Sequence, residues 1–153
     1  MYAVIRLRGN VNLSPKVKRA FKQINLTRPN HLVLLEENSS SKGQLKLLYP
    51  YITYGTINKS TLAKLIAKRG RLPGDKRLSE EWLKEKGFTS FLDLAEALLE
   101  KKAALKKLGI KPVFRLHPPR KGFERKGIRK TYKEGGASGF RGDEINQLIL
   151  KMI

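Results

Sequence analysis

YAVIRL (Tyr2–Leu7), SPKVKRAFKQI (Ser14–Ile24) and HLVLLE (His31–Glu36) follow one another at the start of the chain and decide how the rest is read. Tyr2–Leu7 alternates, with Ala3, Ile5 and Leu7 on one face and Tyr2, Val4 and Arg6 on the other, which is the period of a strand. Ser14-Pro15 is an N-cap with proline at the first helical position. Val17, Ala20, Phe21 and Ile24 then recur at helical spacing, so a helix is predicted over 14–24. Its other side carries Lys16, Lys18, Arg19 and Lys22, which taken alone reads as a solvated face. Arg28-Pro29-Asn30 turns the chain into the continuous apolar run His31–Glu36, a strand covered on at least one side.

The same pattern repeats once more. A polar break from Glu36 to Ser41 leads to a helix over Lys42–Leu48. YITYGTI, Tyr51–Ile57, is aromatic and β-branched and predicts a third strand despite Gly55. Residues 1–57 therefore spell β-α-β-α-β, and the fold class is α+β. Beyond them, helices are predicted at Lys59–Arg69, after Ser79, and from Ser90 to about Lys101, where Ser90 and Asp93 form a capping-box pattern. Trp82 is expected to pack against the last of these. Val113–Leu116 is a fourth short strand. Ile145, Leu148, Ile149 and Met152 form an amphipathic stripe on a C-terminal helix with Asp143 and Glu144 in its first turn. Residues 58–153 thus form a helical extension, expected to pack on the 1–57 core as one unit.

Between that strand and that helix lies FRLHPPRKGFERKGIRKTYKEGGASGFRG, Phe114–Gly142. Arg115, Arg120, Lys121, Arg125, Lys126, Arg129, Lys130, Lys133 and Arg141 face only Glu124 and Glu134, and no hydrophobic period runs through the segment. Residues 117–142 read as a basic arm that needs a polyanion to define its conformation. It is expected to be loosely ordered in the free protein and fixed on RNA. Phe123 and Tyr132 either stack on unpaired bases or anchor the arm, while Phe140, beside the final helix, reads as an anchor.

The whole chain has 33 Lys and Arg against 13 Asp and Glu, a net charge of +20 on 153 residues. Solubility needs a magnitude of only about 2 to 8 on a small domain, so the excess points to a phosphate-rich partner. There is no cysteine, hence no disulfide or thiolate site. Apolar runs fall far short of the roughly 20 residues of a membrane span, and Met1 leads straight into the first strand without a signal-peptide pattern, so a cytoplasmic protein is expected. His31 and His117 lack metal-ligand partners and read as structural or RNA-facing. Gly122–Gly127 has the glycine spacing of a P-loop, but Ile128 and Arg129 stand where Lys and Ser/Thr are required. The paired carboxylates are explained by one loop and two helix starts. No cofactor, small-molecule substrate or catalysis is expected. A chromatin-like DNA-binding protein shares the charge, but neither a helix-turn-helix nor a zinc finger is evident.

YAVIRLRG, SPKVKRAFKQI, HLVLLEENSSSKGQLKLL, YITYGTINKSTL and KPVFRLHPPRKGFERKGIRKTYKEGGASGFRG together resemble the large-subunit ribosomal protein L-thirty family in its archaeal form, L-seven in eukaryotes. The resemblance spans the chain, and the block from Lys111 to Gly142 is its specific part. It implies a ferredoxin-like core with an antiparallel sheet, and a non-catalytic constituent of the large subunit that contacts 23S and 5S ribosomal RNA and neighbouring ribosomal proteins. The RNA contacts it implies are Arg8, Lys16, Arg19, Lys22, Arg28 and Lys42, and in the arm region Arg115, His117, Arg120, Lys121, Phe123, Arg125, Lys126, Arg129, Lys130, Tyr132, Lys133 and Arg141.

Overall fold

A computed structural model describes residues 1–153. Five strands, β1 (Tyr2–Arg6), β2 (His31–Leu35), β3 (Ile52–Thr56), β4 (Val113–Arg115) and β5 (Gly139–Phe140), form one sheet in the order β4-β2-β1-β3-β5. All pairs are antiparallel except β3 with β5, which run parallel through Thr53 opposite Gly139 and Tyr54 opposite Phe140. Helices are α1 (Pro15–Gln23), α2 (Ser39–Leu48), α3 (Lys59–Arg69), α4 (Glu80–Glu85), α5 (Phe91–Leu99) and α6 (Ile145–Met152). None is long and apolar enough to cross a membrane.

Alternation along β1 decides the layering. Ala3 and Ile5 join a core with Leu62, Leu65 and Ile66 of α3, Leu94 and Leu98 of α5, and Ile145, Leu148, Ile149 and Met152 of α6. Val4 faces the other way, into a second core with Val17, Ala20 and Phe21 of α1 and Leu45 and Leu48 of α2. The sheet is therefore the middle of three layers. Trp82 sits partly buried at the edge of the first core.

Local chemistry sets the helix ends. Ser14, Asn58, Ser79 and Ser90 each accept a backbone N–H at an N-terminus. The Ser90 pattern differs from a capping box in one respect: Asp93 accepts from the backbone N–H and hydroxyl of Thr89, one residue upstream of the cap. Helix α2 begins three residues before the expected start, because Ser39, Ser40 and Ser41 form its first turn. Tyr49–Tyr51 is a single 3-10 turn before β3.

Gly55 has a packing reason. A Cβ there would lie 2.0 Å from the carbonyl oxygen of Gly142, so the strand tolerates the close approach of the chain entering α6 only without a side chain. Asn146 then ties α6 to the sheet, donating to the carbonyls of Thr56 and Asp143 and accepting the N–H of Asn58.

Phe21 is 2% exposed, and the Arg6 guanidinium lies 3.9 Å from the centre of its ring, whereas the adjacent Lys22 is exposed. Phe21→Ala is expected to lower stability by about 3–5 kcal/mol, and Lys22→Ala by no more than about 0.5 kcal/mol. Denaturant titration of both variants checks this, and equal shifts would mean that the faces of α1 are misassigned.

Candidate nucleic-acid interface

Charge is unevenly divided between the two helical layers. α1 carries Lys16, Lys18, Arg19 and Lys22, and α2 carries Lys42 and Lys46, with no acidic residue in either helix. On the opposite face of the sheet, Glu80, Glu81 and Glu85 of α4 and Asp93 and Glu96 of α5 nearly offset Lys59, Lys64, Lys68 and Arg69 of α3, Lys84 of α4 and Lys151 of α6. A polyanion is attracted to the first layer and repelled by part of the second.

Three features border the basic layer. Lys16 and Arg19 line a groove between α1 and α2, open at Gly43. Arg8, following β1, lies 5.1 Å from the centre of the Tyr51 ring, which holds its guanidinium at the surface. At the β4 edge, Arg28, His31, Lys111 and Arg115 line a concavity of about 570 Å³. Asp75 pairs with both Lys111 and Arg115, the latter at 3.1 Å, and holds these cations at its rim. Burial, then the charges of Arg115, Arg28 and Arg6, lower the pKa of His31 below the ordinary histidine value, so the ring is neutral at pH 7. Lys111 and Lys46 were not singled out from the sequence. Lys46 was legible as the i+4 neighbour of Lys42.

The arm is not an unorganised loop. It leaves β4 across the C-terminal end of α6, where the His117 and Arg120 N–H groups donate to the carbonyls of Met152 and Lys151. It then folds on itself: Ala137 N–H donates to the Gly127 carbonyl, Lys126 N–H to Gly135, and Tyr132 N–H to Ser138. β5 completes the crossing by joining the opposite edge of the sheet. Exposed side chains along this path include Arg120, Lys121, Arg125, Lys126, Arg129, Lys130 and Lys133, and His117 is exposed at its start.

Arg141, expected among the RNA contacts, is turned inward. Its residue is 6% exposed, and its guanidinium donates to both carboxylate oxygens of Glu124 at 2.5 and 3.1 Å, to the Thr53 hydroxyl at 2.9 Å and to the Ala137 carbonyl at 3.0 Å. It also lies 4.4 Å from the centre of the Tyr132 ring. Arg141 is therefore a clamp that closes the arm, with its guanidinium engaged by the protein itself. Phe123 packs against the first core and Tyr132 lies against the Arg141 guanidinium, so both rings are half-buried on the protein's own surface. Phe140, expected to anchor, is the ring left 43% exposed.

Burial alone would raise the Glu124 carboxyl. The hydrogen bonds from Arg141 and from its own backbone N–H, and the Arg141 charge, outweigh this and hold its pKa below the ordinary glutamate value. A depressed carboxylate stabilises the fold above its unfolded-state pKa and loses that contribution as pH falls through the folded one. Glu124→Gln is expected to cost between the roughly 1 kcal/mol of an exposed pair and the roughly 3–5 kcal/mol of a buried one. Hydrogen-exchange protection factors at Ala137–Phe140 should fall in the variant, and in the parent below the ordinary glutamate range. Unchanged protection would remove the clamp.

No group of three or more His, Asp or Glu side chains is placed to hold a metal ion. A two-sided sheet with one basic helical layer and a clamped basic arm defines a small basic α+β protein that presents a face suited to a polyanion. The ribosomal protein L30p/L7e family matches over residues 2–52, from β1 to the start of β3. Whole-length relatives cover the rest. The large ribosomal subunit protein uL30 of Nanoarchaeum equitans is 47% identical over 153 residues, 100% of this chain and 99% of its own. That of Methanococcus vannielii is 49% identical over 152 residues, 99% of each chain, and that of Thermofilum pendens 46% over 155 residues, 100% and 99%. The chain belongs to the uL30 family.

Proposed function

We propose that this protein is a structural constituent of the large ribosomal subunit in the cytoplasm, binding 23S and 5S ribosomal RNA and contacting neighbouring ribosomal proteins, and that its RNA contacts support subunit assembly. Proteins of its family are structural and not enzymes. The observation that carries the RNA assignment is the uneven charge: α1 and α2 carry cations with no carboxylate and the arm carries a large excess of cations, whereas in the far layer the carboxylates of α4 and α5 nearly offset the cations of α3, α4 and α6. Exposed Lys and Arg neutralise phosphates and release counterions, which is the sequence-independent part of RNA binding.

The contact set is Arg8, Lys16, Arg19, Lys22, Arg28, Lys42, Arg115, His117, Arg120, Lys121, Arg125, Lys126, Arg129, Lys130 and Lys133. Arg28, Arg115 and neutral His31 together suit one phosphate at the β4 edge, the arginines supplying charge and the imidazole a single donor.

RNA affinity is expected to fall linearly with salt on a log-log plot. Replacing Arg125, Lys126, Arg129 and Lys130 by Gln should reduce the slope by about 3, since each phosphate contact contributes about 0.7 to 0.9. Filter binding across a salt series measures it, and an affinity indifferent to salt would sink the assignment. In a sucrose gradient of lysate, the protein should travel with the large subunit; quantitative recovery in ribosome-free fractions or on chromosomal DNA would favour a chromatin-like role.

Residues 58–153 are proposed to fold with residues 1–57 as one unit, because α3, α5 and α6 share their core with β1. One cooperative thermal transition by calorimetry is expected, and two resolved transitions would divide the chain into separate domains.

A further inference from the structure

One margin of the basic layer differs from the rest of the surface in being aromatic. β1, β3 and β5 place Tyr2, Tyr54 and Phe140 side by side on the α1/α2 face of the sheet. Ring centroids lie 5.9 Å apart for Tyr2 and Tyr54, edge to face, and 5.4 Å apart for Tyr54 and Phe140, tilted at 51°. Between α2 and the rings is a concavity of about 460 Å³, lined by Lys42, Leu45 and Lys46 of the helix and by Tyr49 after it. That volume falls within the roughly 300–1,000 Å³ of small-ligand sites.

The margin is held in shape from behind. Gly139 has φ +91°, and a Cβ on it would meet the Tyr49 ring at 2.4 Å, so the ring lies directly on the β5 backbone. The Arg141 N–H donates to the Tyr54 carbonyl, and Thr53 donates to the carbonyl of Gly139, which fixes the strand that presents Phe140. Phe140 is nevertheless 43% exposed. Packing of the free chain does not account for a large aromatic ring left open beside a built concavity.

We propose that this concavity receives one unpaired RNA base, stacked on Phe140 and Tyr54, with the adjoining phosphate at Lys42 and Lys46. Stacking on aromatic rings is sequence-tolerant and needs only an open π face, which the margin supplies. Lys42 and Lys46 stand one helical turn apart on the same wall, and no carboxylate lines the concavity. Phenol hydroxyls of Tyr2 and Tyr49 offer both donor and acceptor to a base edge. An apolar side chain of a neighbouring protein would find the rings, but it would leave the Lys46 ammonium on the wall without a counter-charge. The inference rests on the RNA-binding reading above and adds to it a single-stranded element.

The test uses the full chain with two RNAs of equal length, a single strand carrying 5-iodouridine and a fully paired duplex. Irradiation of the single-strand complex, followed by mass spectrometry, should place crosslinks on Tyr2, Tyr54 or Phe140. Phe140→Leu should weaken single-strand binding at least about fivefold, the low end of what one stacked base contributes, and leave duplex affinity and its salt slope unchanged. An unaltered thermal melt shows that the variant is folded. Crosslinks confined to residues 117–134, or single-strand affinity unchanged in both Phe140→Leu and Lys46→Ala while the parent still binds duplex with its full salt slope, overturn the base pocket and leave the RNA reading standing. Failure of the parent chain to bind either RNA at low salt overturns both.

Discussion

Strand β1 is buried on both sides, and this constraint determines what else the chain must contain. Ala3 and Ile5 on one side and Val4 on the other each require an apolar partner layer, since a strand exposing either set would leave several fully buried side chains in water. α1 and α2 supply one layer from the residues adjacent in sequence. The other is assembled from α3, α5 and α6, which reach it from the extension and from the far end of the chain. The basic arm is thus not an appendage. It is the connection that brings α6 back to the sheet, entering beside β4 and leaving through β5 at the opposite edge.

A chain so rich in cations has few carboxylates with which to neutralise those it buries. Arg6 is 1% exposed and has no carboxylate partner; backbone carbonyls of Arg8, Gly9, Leu26 and Thr27 and the Asn10 side chain accept its five hydrogen bonds, and Phe21 covers its face. Burial lowers its pKa, yet a guanidinium stays charged, so those carbonyls are obliged to point inward. The loop after β1 and the turn after α1 are shaped by this one side chain. Arg141 organises the other end of the molecule in the same manner, but with Glu124 as a bidentate partner. In both cases a buried cation gathers irregular segments through their backbone carbonyls, and the exposed cations nearby remain free to face outward.

This division explains what was legible in the sequence. β1, β2 and the helices α1, α3, α4 and α5 announce themselves through apolar period and through Ser14, Asn58, Ser79 and Ser90, because each is stabilised by contacts whose local half is written nearby. β5 is two residues long and pairs with a strand some eighty positions earlier, so no local pattern records it. Arg141 is spelled like every other arm cation. Only the position of Glu124, one of two carboxylates in the arm, hinted that one arginine would be taken inward, and nothing in the sequence said which. The aromatic residues were ambiguous for a related reason: Phe123 and Tyr132 lie among cations, which leaves stacking and anchoring both open, and in the fold they are half-buried, whereas Phe140, read as an anchor beside an apolar helix, is left exposed on the edge strand.

Sorting of charge follows from the same architecture. α1 and α2 pack through one narrow stripe each, leaving most of their surface available for lysine and arginine without any cost to the core. α4 and α5 lie on the far side of the sheet, where Glu80 and Glu81 suit the positive end of the α4 dipole and Glu96 pairs with Lys59 at 2.5 Å. Had these carboxylates been distributed evenly, they would have cancelled the field at the α1/α2 surface and paired with arm cations at close range. Kept at a distance, with the sheet and two cores between, they offset part of the self-repulsion of a +20 chain while leaving the basic layer unopposed. The three-layer fold is what allows both: a single sheet with one helical layer would have placed the two signs within a few ångströms of each other around a common rim.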